Sequence, residues 1–282
     1  MRARRSPGPW FAAPVALFML ACFAAPIFIV TWFSLMPARS FDLTTAFTAE
    51  NYVTAFTEGY ARPLMWSLIG AAITTTVCAV LAWPSAVILH RHAGNWATVV
   101  AALIALPIFI SESVRLFGMS VFMMPRGGIL AGTLNALFGL QIGSILNTWS
   151  AALVGMIYVH LPFMLFPLLL GVSLIPADRI EAARDLGANR WQVFREVELP
   201  LAAPGLTIGA LLTFVLCIGA NAEAAILGGR AVTVITTAIE QRFSFAQDWP
   251  MGAALTVLVI AITAAIVLPV LARLDLNRLT RR

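Results

Sequence analysis

The chain has 282 residues, of which 60% are hydrophobic and only 11% are charged, and its mean hydropathy is +0.90. A soluble domain carries roughly a quarter charged residues, so this composition excludes a water-soluble globule and predicts an integral membrane protein. The formal net charge is +5 and all 18 basic residues are arginines, a balance that in a membrane protein indicates orientation rather than nucleic-acid binding.

Apolar runs long enough to cross a membrane recur along the chain. A spanning helix needs roughly 20 apolar residues. The sequence predicts an all-α protein with six such spans: Trp10–Met36, Leu64–Leu89, Trp96–Ile110 with a continuation toward Leu116, Trp149–Leu174, Leu201–Ala222 and Met251–Leu271. The uncharged stretch Ile129–Thr148 is interrupted by glycine, asparagine and glutamine, and we predict a short helix and loop at the outer face there.

The distribution of arginines predicts the orientation. With six spans, 12 of the 18 arginines fall on one face of the membrane and six on the other. The arginine-rich face comprises the two termini and the loops 89–96 and 174–201. Because arginine accumulates on the cytoplasmic side, both termini are predicted to be cytoplasmic in a bacterial inner membrane.

The first apolar run allows one alternative. Three arginines followed by Met19-Leu20-Ala21-Cys22 faintly resemble a signal peptide with a lipidation site. The apolar run continues well beyond Cys22, whereas a signal core has roughly 7–15 residues, so an uncleaved helix is favoured. Cys22, Cys78 and Cys217 all lie in apolar runs without metal-ligand spacing, and we expect them to pack rather than to bind metal.

The long cytoplasmic loop, Ser173–Pro204, is dense in charge and is predicted to form two short helices. Pro176 suits the first helical position, and Gly187 can adopt the left-handed conformation that ends a helix. The apolar positions expected on one face of the first helix are Ile180, Ala183 and Leu186.

The second helix of this loop has its own boundary signals. Asn189 can cap it, and Gln192 three residues later fits a capping box. Its predicted apolar stripe is Trp191, Phe194 and Val197. Leu199 before Pro200 predicts its end. The small residues Ala182 and Ala183 would let another backbone approach closely, although the loop could also pack only on its own bundle.

The spacing within this loop resembles a known family. Glu181-Ala182-Ala183, three residues, Gly187, nine residues and Val197-Glu198-Leu199-Pro200 are similar to the EAA loop of binding-protein-dependent ABC importer permeases. The resemblance covers roughly residues 60 to 275. It implies five core helices plus an added N-terminal one, and a cytoplasmic loop that docks on an ATPase and moves with it.

The resemblance also implies a domain organisation and partners. Residues 1–62 would hold the N-terminal tail, first span and a periplasmic segment, residues 63–272 the transmembrane core with the EAA loop at 174–203, and residues 273–282 a cytoplasmic tail. The residues implied in ATPase coupling are Glu181, Ala182, Ala183, Asp185, Gly187, Leu199 and Pro200. The partners implied are a dimer of ATP-binding subunits, a second and usually different permease chain, a periplasmic solute-binding protein and membrane lipid.

The chain carries no phosphate-binding loop of the Gly-x-x-x-x-Gly-Lys-Ser/Thr type, and no lysine with which to build one. We therefore expect a transport subunit that is not itself an enzyme and that binds no cofactor or metal. ATP and magnesium would be bound by the partner ATPase.

Three segments resemble permeases of the spermidine/putrescine type: Ser113-Val114-Arg115, Ile226-Leu227-Gly228-Gly229 and Asp248-Trp249-Pro250-Met251-Gly252-Ala253-Ala254. This resemblance favours a polyamine or a related organic cation as the solute. In those permeases a Ser-Asp-Phe usually lies shortly before the Gly-Gly, but here Gly219-Ala220-Asn221 stands in its place and the acid is Glu223. An anionic or zwitterionic solute such as a phosphonate, a membrane enzyme and a scaffold subunit are the alternatives.

Polar residues within or beside spans are costly and mark candidate solute pathways. The candidates are Glu112, Arg115, His160, Asn221 and Glu223. Glu112 and Arg115 have helical i, i+3 spacing and could simply pair with each other. His160 could be an ordinary hydrogen-bonding residue between helices. The outer-side acids favour a cation, but arginines lie on the same side, so charge alone does not select the solute.

Overall fold

The computed structural model of the protein describes residues 8–40, 47–124, 128–138, 145–229 and 232–273. Within these ranges every regular element is helical. The α-helices are α1 (Gly8–Ser34), α2 (Glu50–Thr57), α3 (Ala61–Arg91), α4 (Ala97–Ala105), α5 (Glu112–Phe122), α6 (Ile129–Phe138), α7 (Trp149–Ser173), α8 (Ala177–Asp185), α9 (Arg190–Gln192), α10 (Leu199–Ile218), α11 (Ile235–Ser244) and α12 (Trp249–Arg273). Arg126, Arg230 and the tail after Arg273 lie outside the described residues.

Five helices in the described ranges are long and apolar enough to cross a membrane. They are Ala13–Ser34 within α1, Ala61–Arg91, Trp149–Ser173, Arg190–Ile218 and Trp249–Arg273. Each matches a predicted span, which confirms an all-α membrane protein. Within the stretch Ile129–Thr148, the described residues Ile129–Phe138 form α6, a helix of ten residues that is too short to span, as predicted. Residues 139–144 lie outside the described residues.

The third predicted span is wrong as a continuous helix. The segments Ala97–Phe109 and Glu112–Phe122 are bent by 100° relative to each other, so they make a sixth span only as a broken pair. Pro107 lies in a 3₁₀ turn at the break, and Ile110 and Ser111 have extended ψ angles of 138° and 133°. A proline lacks the N–H that an α-helix needs, which weakens the helix at this point.

The predicted helix end at Leu199–Pro200 is also wrong, because the chain is helical from Arg190 to Ile218. A wider π-type turn, Val193–Glu198, joins α9 to α10, and the Leu199 N–H donates to the carbonyl of Phe194, five residues back. The hydrogen-bond register changes in this turn. Pro200 therefore falls in the first turn of α10, where its missing N–H is tolerated.

The chain divides into two compact units, and the larger contains Arg62–Thr237. In it, α7 and α10 approach so closely that only glycine fits between them. A Cβ on Gly205 would lie 2.5 Å from the carbonyl oxygen of Pro167, and one on Gly209 would lie 2.9 Å from that of Met164. Small residues four apart on a membrane helix permit this close backbone packing.

The smaller unit contains the described residues of Met1–Ala61 and Ala238–Ile262. Asn51 closes the end of α1, because its Nδ2 donates to the carbonyls of Ser34 and Met36 at 3.1 and 2.6 Å. Asp248 precedes α12, and its Oδ1 accepts from the Arg39 N–H at 3.1 Å. These bonds satisfy backbone groups that the helix end leaves unpaired.

Candidate functional site

The first helix of the EAA loop ends as the sequence predicts. Pro176 stands one residue before α8 in an extended conformation rather than at its first position. Gly187 has φ +84°, which confirms the left-handed turn. The Ala188 N–H donates to the carbonyl of Ala183 at 3.0 Å, a bond that closes the helix end after a left-handed glycine.

The second helix begins with the predicted capping box. The Gln192 N–H donates to Oδ1 of Asn189 at 2.9 Å, and the Asn189 N–H donates to Oε1 of Gln192 at 2.8 Å. Two backbone donors at the start of α9 are thereby satisfied reciprocally. Gly187 and this box set the turn between the two helices.

The side chains of the loop divide between an inner and an outer face. Ile180 is buried and Ala183 half-buried. The prediction that Leu186 shares this inner face is wrong, because Leu186 is 89% exposed. The outer surface also exposes most of the residues implied in ATPase coupling: Glu181, Ala182, Asp185, Gly187 and Pro200, with Leu199 half-buried.

An ion pair that the sequence analysis missed fastens this loop to the core. Nη1 of Arg91, the last residue of α3, donates to Oε1 of Glu198 at 2.7 Å. Nearby, the rings of Trp83 and Phe194 meet edge to face with centroids 5.0 Å apart. The two charges are 107 residues apart, so no local spacing could have paired them.

A polar pocket of about 380 Å³ lies at the bend between α4 and α5. Glu112, Arg115 and His160 line it together with Ser111. Three of the five predicted pathway residues are therefore brought together at a broken helix. Non-helical backbone at membrane depth is tolerated where it lines a cavity or is buried in protein.

Glu112 and Arg115, for which pairing with each other was the alternative to a pathway role, form no ion pair in the described part of the chain. The guanidinium of Arg115 lies over the ring of Tyr158, 5.9 Å from its centroid. Its Nε and Nη1 are buried without a hydrogen-bond partner among the described residues. A cation over an aromatic face is stabilised, but these donors remain free for another acceptor.

Glu223 lies beside His160, which lines the pocket. Nδ1 of His160 lies 2.9 Å from the carbonyl of Met156 on the same helix, and since a carbonyl only accepts, Nδ1 carries a proton. The alternative considered for His160 was a hydrogen bond between helices, whereas this bond lies within α7. Nδ1 lies 3.6 Å from Oε1 of Glu223. Glu223 is fully buried, and neither carboxylate oxygen has a hydrogen-bond partner within the described ranges.

Asn221 differs from the other four candidate pathway residues in its surroundings. Its Oδ1 accepts a hydrogen bond from Oγ1 of Thr237 at 2.8 Å. This bond ties the segment after α10 to the start of α11. Asn221 does not line the pocket at the bend.

A bundle of apolar helices with an exposed, capped helical hairpin and a polar pocket at a broken helix defines a polytopic transport protein. Residues 95–280 match the family of binding-protein-dependent transport system inner membrane components. The match covers more than half of the chain, and the chain belongs to this family. It is a multi-pass permease subunit of an ABC-type importer in the inner membrane.

Curated relatives and solved structures agree with this assignment. The chain is 33% identical over 212 residues to the spermidine/putrescine transport system permease protein PotB of Haemophilus influenzae, covering 74% of this chain and 73% of the relative. It is 32% identical over 217 residues to PotB of Escherichia coli, covering 75% and 77%. A bacterial ABC transporter that imports the acidic polysaccharide alginate has the same fold, with a TM-score of 0.73 at 17% identity and 94% of each chain covered.

Proposed function

We propose that this permease moves a polyamine or a related organic cation, and that the pocket at the α4–α5 bend and Glu223 lie on its route. The observation that carries the proposal is the Glu223 carboxylate, which is fully buried without a hydrogen-bond partner in the described residues. A buried carboxylate is costly unless it has a counter-charge. A passing ammonium group would supply one.

The charges around the pocket favour a cation. Glu112 and Glu223 supply two negative charges against the single positive charge of Arg115. His160 is no fixed counter-charge, because an imidazole changes its charge near neutral pH. The names of the PotB relatives support the same solute class.

The remaining subunits are also part of the proposal. A separate ATPase dimer docks on the exposed face of α8 and on the turn at Gly187. The ATPase subunits bind and hydrolyse the ATP. A second permease chain completes the route, and a periplasmic protein delivers the solute. Residues 174–203 act as the coupling segment within the core 63–272. Both termini lie in the cytoplasm, because 12 of the 18 arginines then lie on the cytoplasmic side.

Orientation is tested by cysteine labelling. In a background in which Cys22, Cys78 and Cys217 are replaced, Thr280→Cys should react with an impermeant reagent only after the cells are opened. As a control, a cysteine placed in the Gly94–Trp96 turn should behave in the same way. Labelling of either position in intact spheroplasts would overturn the orientation.

The solute is tested by uptake of radiolabelled putrescine and spermidine into proteoliposomes that contain the whole importer. We expect Glu223→Gln, which keeps the shape but removes the charge, to lower uptake about tenfold or more, since a charge-assisted contact contributes roughly 1.5–3 kcal/mol. Asn221→Ala is the matched control, because Asn221 does not line the pocket at the α4–α5 bend, and it should change uptake far less. An importer that takes up an anion and no amine, and that fails with Arg115→Gln rather than Glu223→Gln, would contradict the proposal.

A further inference from the structure

A groove rich in charge lies at the end of α3. It has a volume of about 850 Å³ and separates α3 from the helices of the EAA loop. Arg91 and His92 line it from α3, and Arg184 and Arg190 line it from the loop. The only acidic side chain in its lining is Glu198.

The groove carries an excess of positive charge. Glu198 is already bound by Arg91 at 2.7 Å. Arg184 and Arg190 form no ion pair with any described residue. The guanidinium groups of Arg184 and Arg190 therefore leave two positive charges in the groove without an acidic partner. Two guanidinium groups that face one groove favour a phosphate or a similar anion, because their donors match its oxygens.

The other wall of the groove is apolar and extends along α3. Trp83, Val87 and Arg91 follow each other at i, i+4 spacing, so they share one face of α3. That face therefore runs from a charged end to an apolar stretch inside a membrane span. A ligand that fits both parts has an anionic head and an apolar body.

We propose that this groove binds the headgroup of an anionic phospholipid from the cytoplasmic leaflet, and that the lipid helps to hold the EAA loop against α3. The proposal rests on the orientation given above, which places the groove on the cytoplasmic side. Anionic lipids are attracted to basic clusters there, and basic pockets between membrane helices accept such headgroups. The phosphate lies between Arg184 and Arg190, while the acyl chains lie along Val87 and Trp83.

This arrangement predicts a dependence of coupling on lipid composition. Arg91 and Glu198 already join α3 to the loop through one ion pair. A lipid whose phosphate is held by Arg184 and Arg190 and whose acyl chains lie along Val87 and Trp83 of α3 adds a second connection beside it. Removal of the headgroup should therefore loosen the segment that transmits movement from the ATPase.

The test uses the whole importer in nanodiscs made either of phosphatidylcholine alone or of phosphatidylcholine with phosphatidylglycerol. Native mass spectrometry counts the phosphatidylglycerol molecules that each complex retains, and ATPase activity is measured in both kinds of disc. The variant is Arg184→Gln with Arg190→Gln. The matched control is Arg179→Gln with Arg195→Gln, two exposed arginines of the same loop that do not line the groove.

We expect the wild type and the control to retain one more phosphatidylglycerol per permease copy than the groove variant, with the affinity of that site falling roughly 10- to 30-fold in the variant. Stimulation of ATPase activity by phosphatidylglycerol should be lost with it. Equal retention by all three proteins would overturn the proposal. So would displacement of the retained lipid by millimolar inorganic phosphate, which would indicate a site for a soluble anion.

A further outcome separates lipid from the ATPase as the occupant. If the groove variant loses its ATPase subunits in phosphatidylcholine discs, Arg184 and Arg190 contact the ATPase and the lipid proposal is wrong. Lipid retention is measured without any solute, so it stands or falls independently of whether the importer carries a polyamine.

Discussion

The close contact between α7 and α10 predicts that adding a single methyl group at this contact destabilises the protein. In Gly205→Ala the new Cβ would lie 2.5 Å from the carbonyl oxygen of Pro167 and 2.8 Å from Cα of Gly171. Both neighbours are backbone atoms, so no side chain can rotate away. Since non-bonded carbon atoms prefer a separation of about 3.5–4.0 Å, α10 must move from α7 by roughly 1 Å.

The size of the effect can be isolated with a second glycine. Replacing glycine by alanine in a helix contributes about 1 kcal/mol through helix propensity, which masks part of the clash. Gly118 lies in α5, and a Cβ there would meet nothing within 4 Å, so Gly118→Ala reports the propensity term alone. The difference between the two variants is then the clash itself, about 1–3 kcal/mol if it is typical of overpacking.

Thermal unfolding of the purified importer in detergent, followed by size-exclusion chromatography, measures this difference. With a shift of about 2–4 °C for each kcal/mol, Gly205→Ala should lose its monodisperse peak roughly 3–10 °C below Gly118→Ala. Equal midpoints, or a more stable Gly205→Ala, would refute the packing described for α7 and α10.

Two further predictions concern the EAA loop. Gly187→Asp and Glu181→Lys should each abolish uptake while the permease still inserts. The first variant forces a side chain into a left-handed turn at a cost of about 1–2 kcal/mol, and the second reverses a charge on the exposed face. Pull-down of the ATPase should weaken in parallel, and normal uptake by both variants would contradict the coupling role. Arg91→Glu and Glu198→Arg should each lower both uptake and the midpoint of thermal unfolding. The double variant, in which both charges are reversed, should restore much of both quantities, and a double-mutant cycle measures this coupling. Additive losses would show that the pair does not join the loop to α3.

The features that the sequence predicted well depend on short-range rules. The left-handed turn at Gly187 and the capping box of Asn189 and Gln192 each involve residues within a few positions of one another, and the structure confirms them. Five of the six spans predicted from the apolar runs are present as single helices, because hydropathy needs no knowledge of packing. These signals identify the loop and its place in the bundle.

Two of the errors arise where proline acts within a helix. Pro107 was expected to lie inside a continuous span and instead accompanies a 100° bend, whereas Pro200 was expected to end a helix and instead lies in one. The local rule is the same in both cases, namely the loss of an N–H. The outcome differs because a π-type turn precedes Pro200 and an extended segment follows Pro107.

Contacts between distant parts of the chain were beyond sequence reasoning. Arg91 and Glu198 each look like an ordinary loop charge until α3 and the EAA loop are brought together. Gly205 and Gly209 carry a spacing known from packed membrane helices, and that signal could have been recognised. Their partners on α7, however, emerge only from the folded structure.

The unbroken helix from Arg190 to Ile218 explains how a movement at the loop could reach the pocket. At about 1.5 Å per residue it is roughly 40 Å long, and its first turn begins at the capping box beside Gly187. Gly205 and Gly209 hold its middle against α7, and α7 carries His160 in the wall of the pocket. A displacement of the first turn is therefore transmitted along one rigid element to the helix that lines the proposed route, without any hinge after Gly187. The expected separation of uptake from insertion in Gly187→Asp follows from this geometry, since the variant disturbs the start of the helix and leaves its packed middle intact.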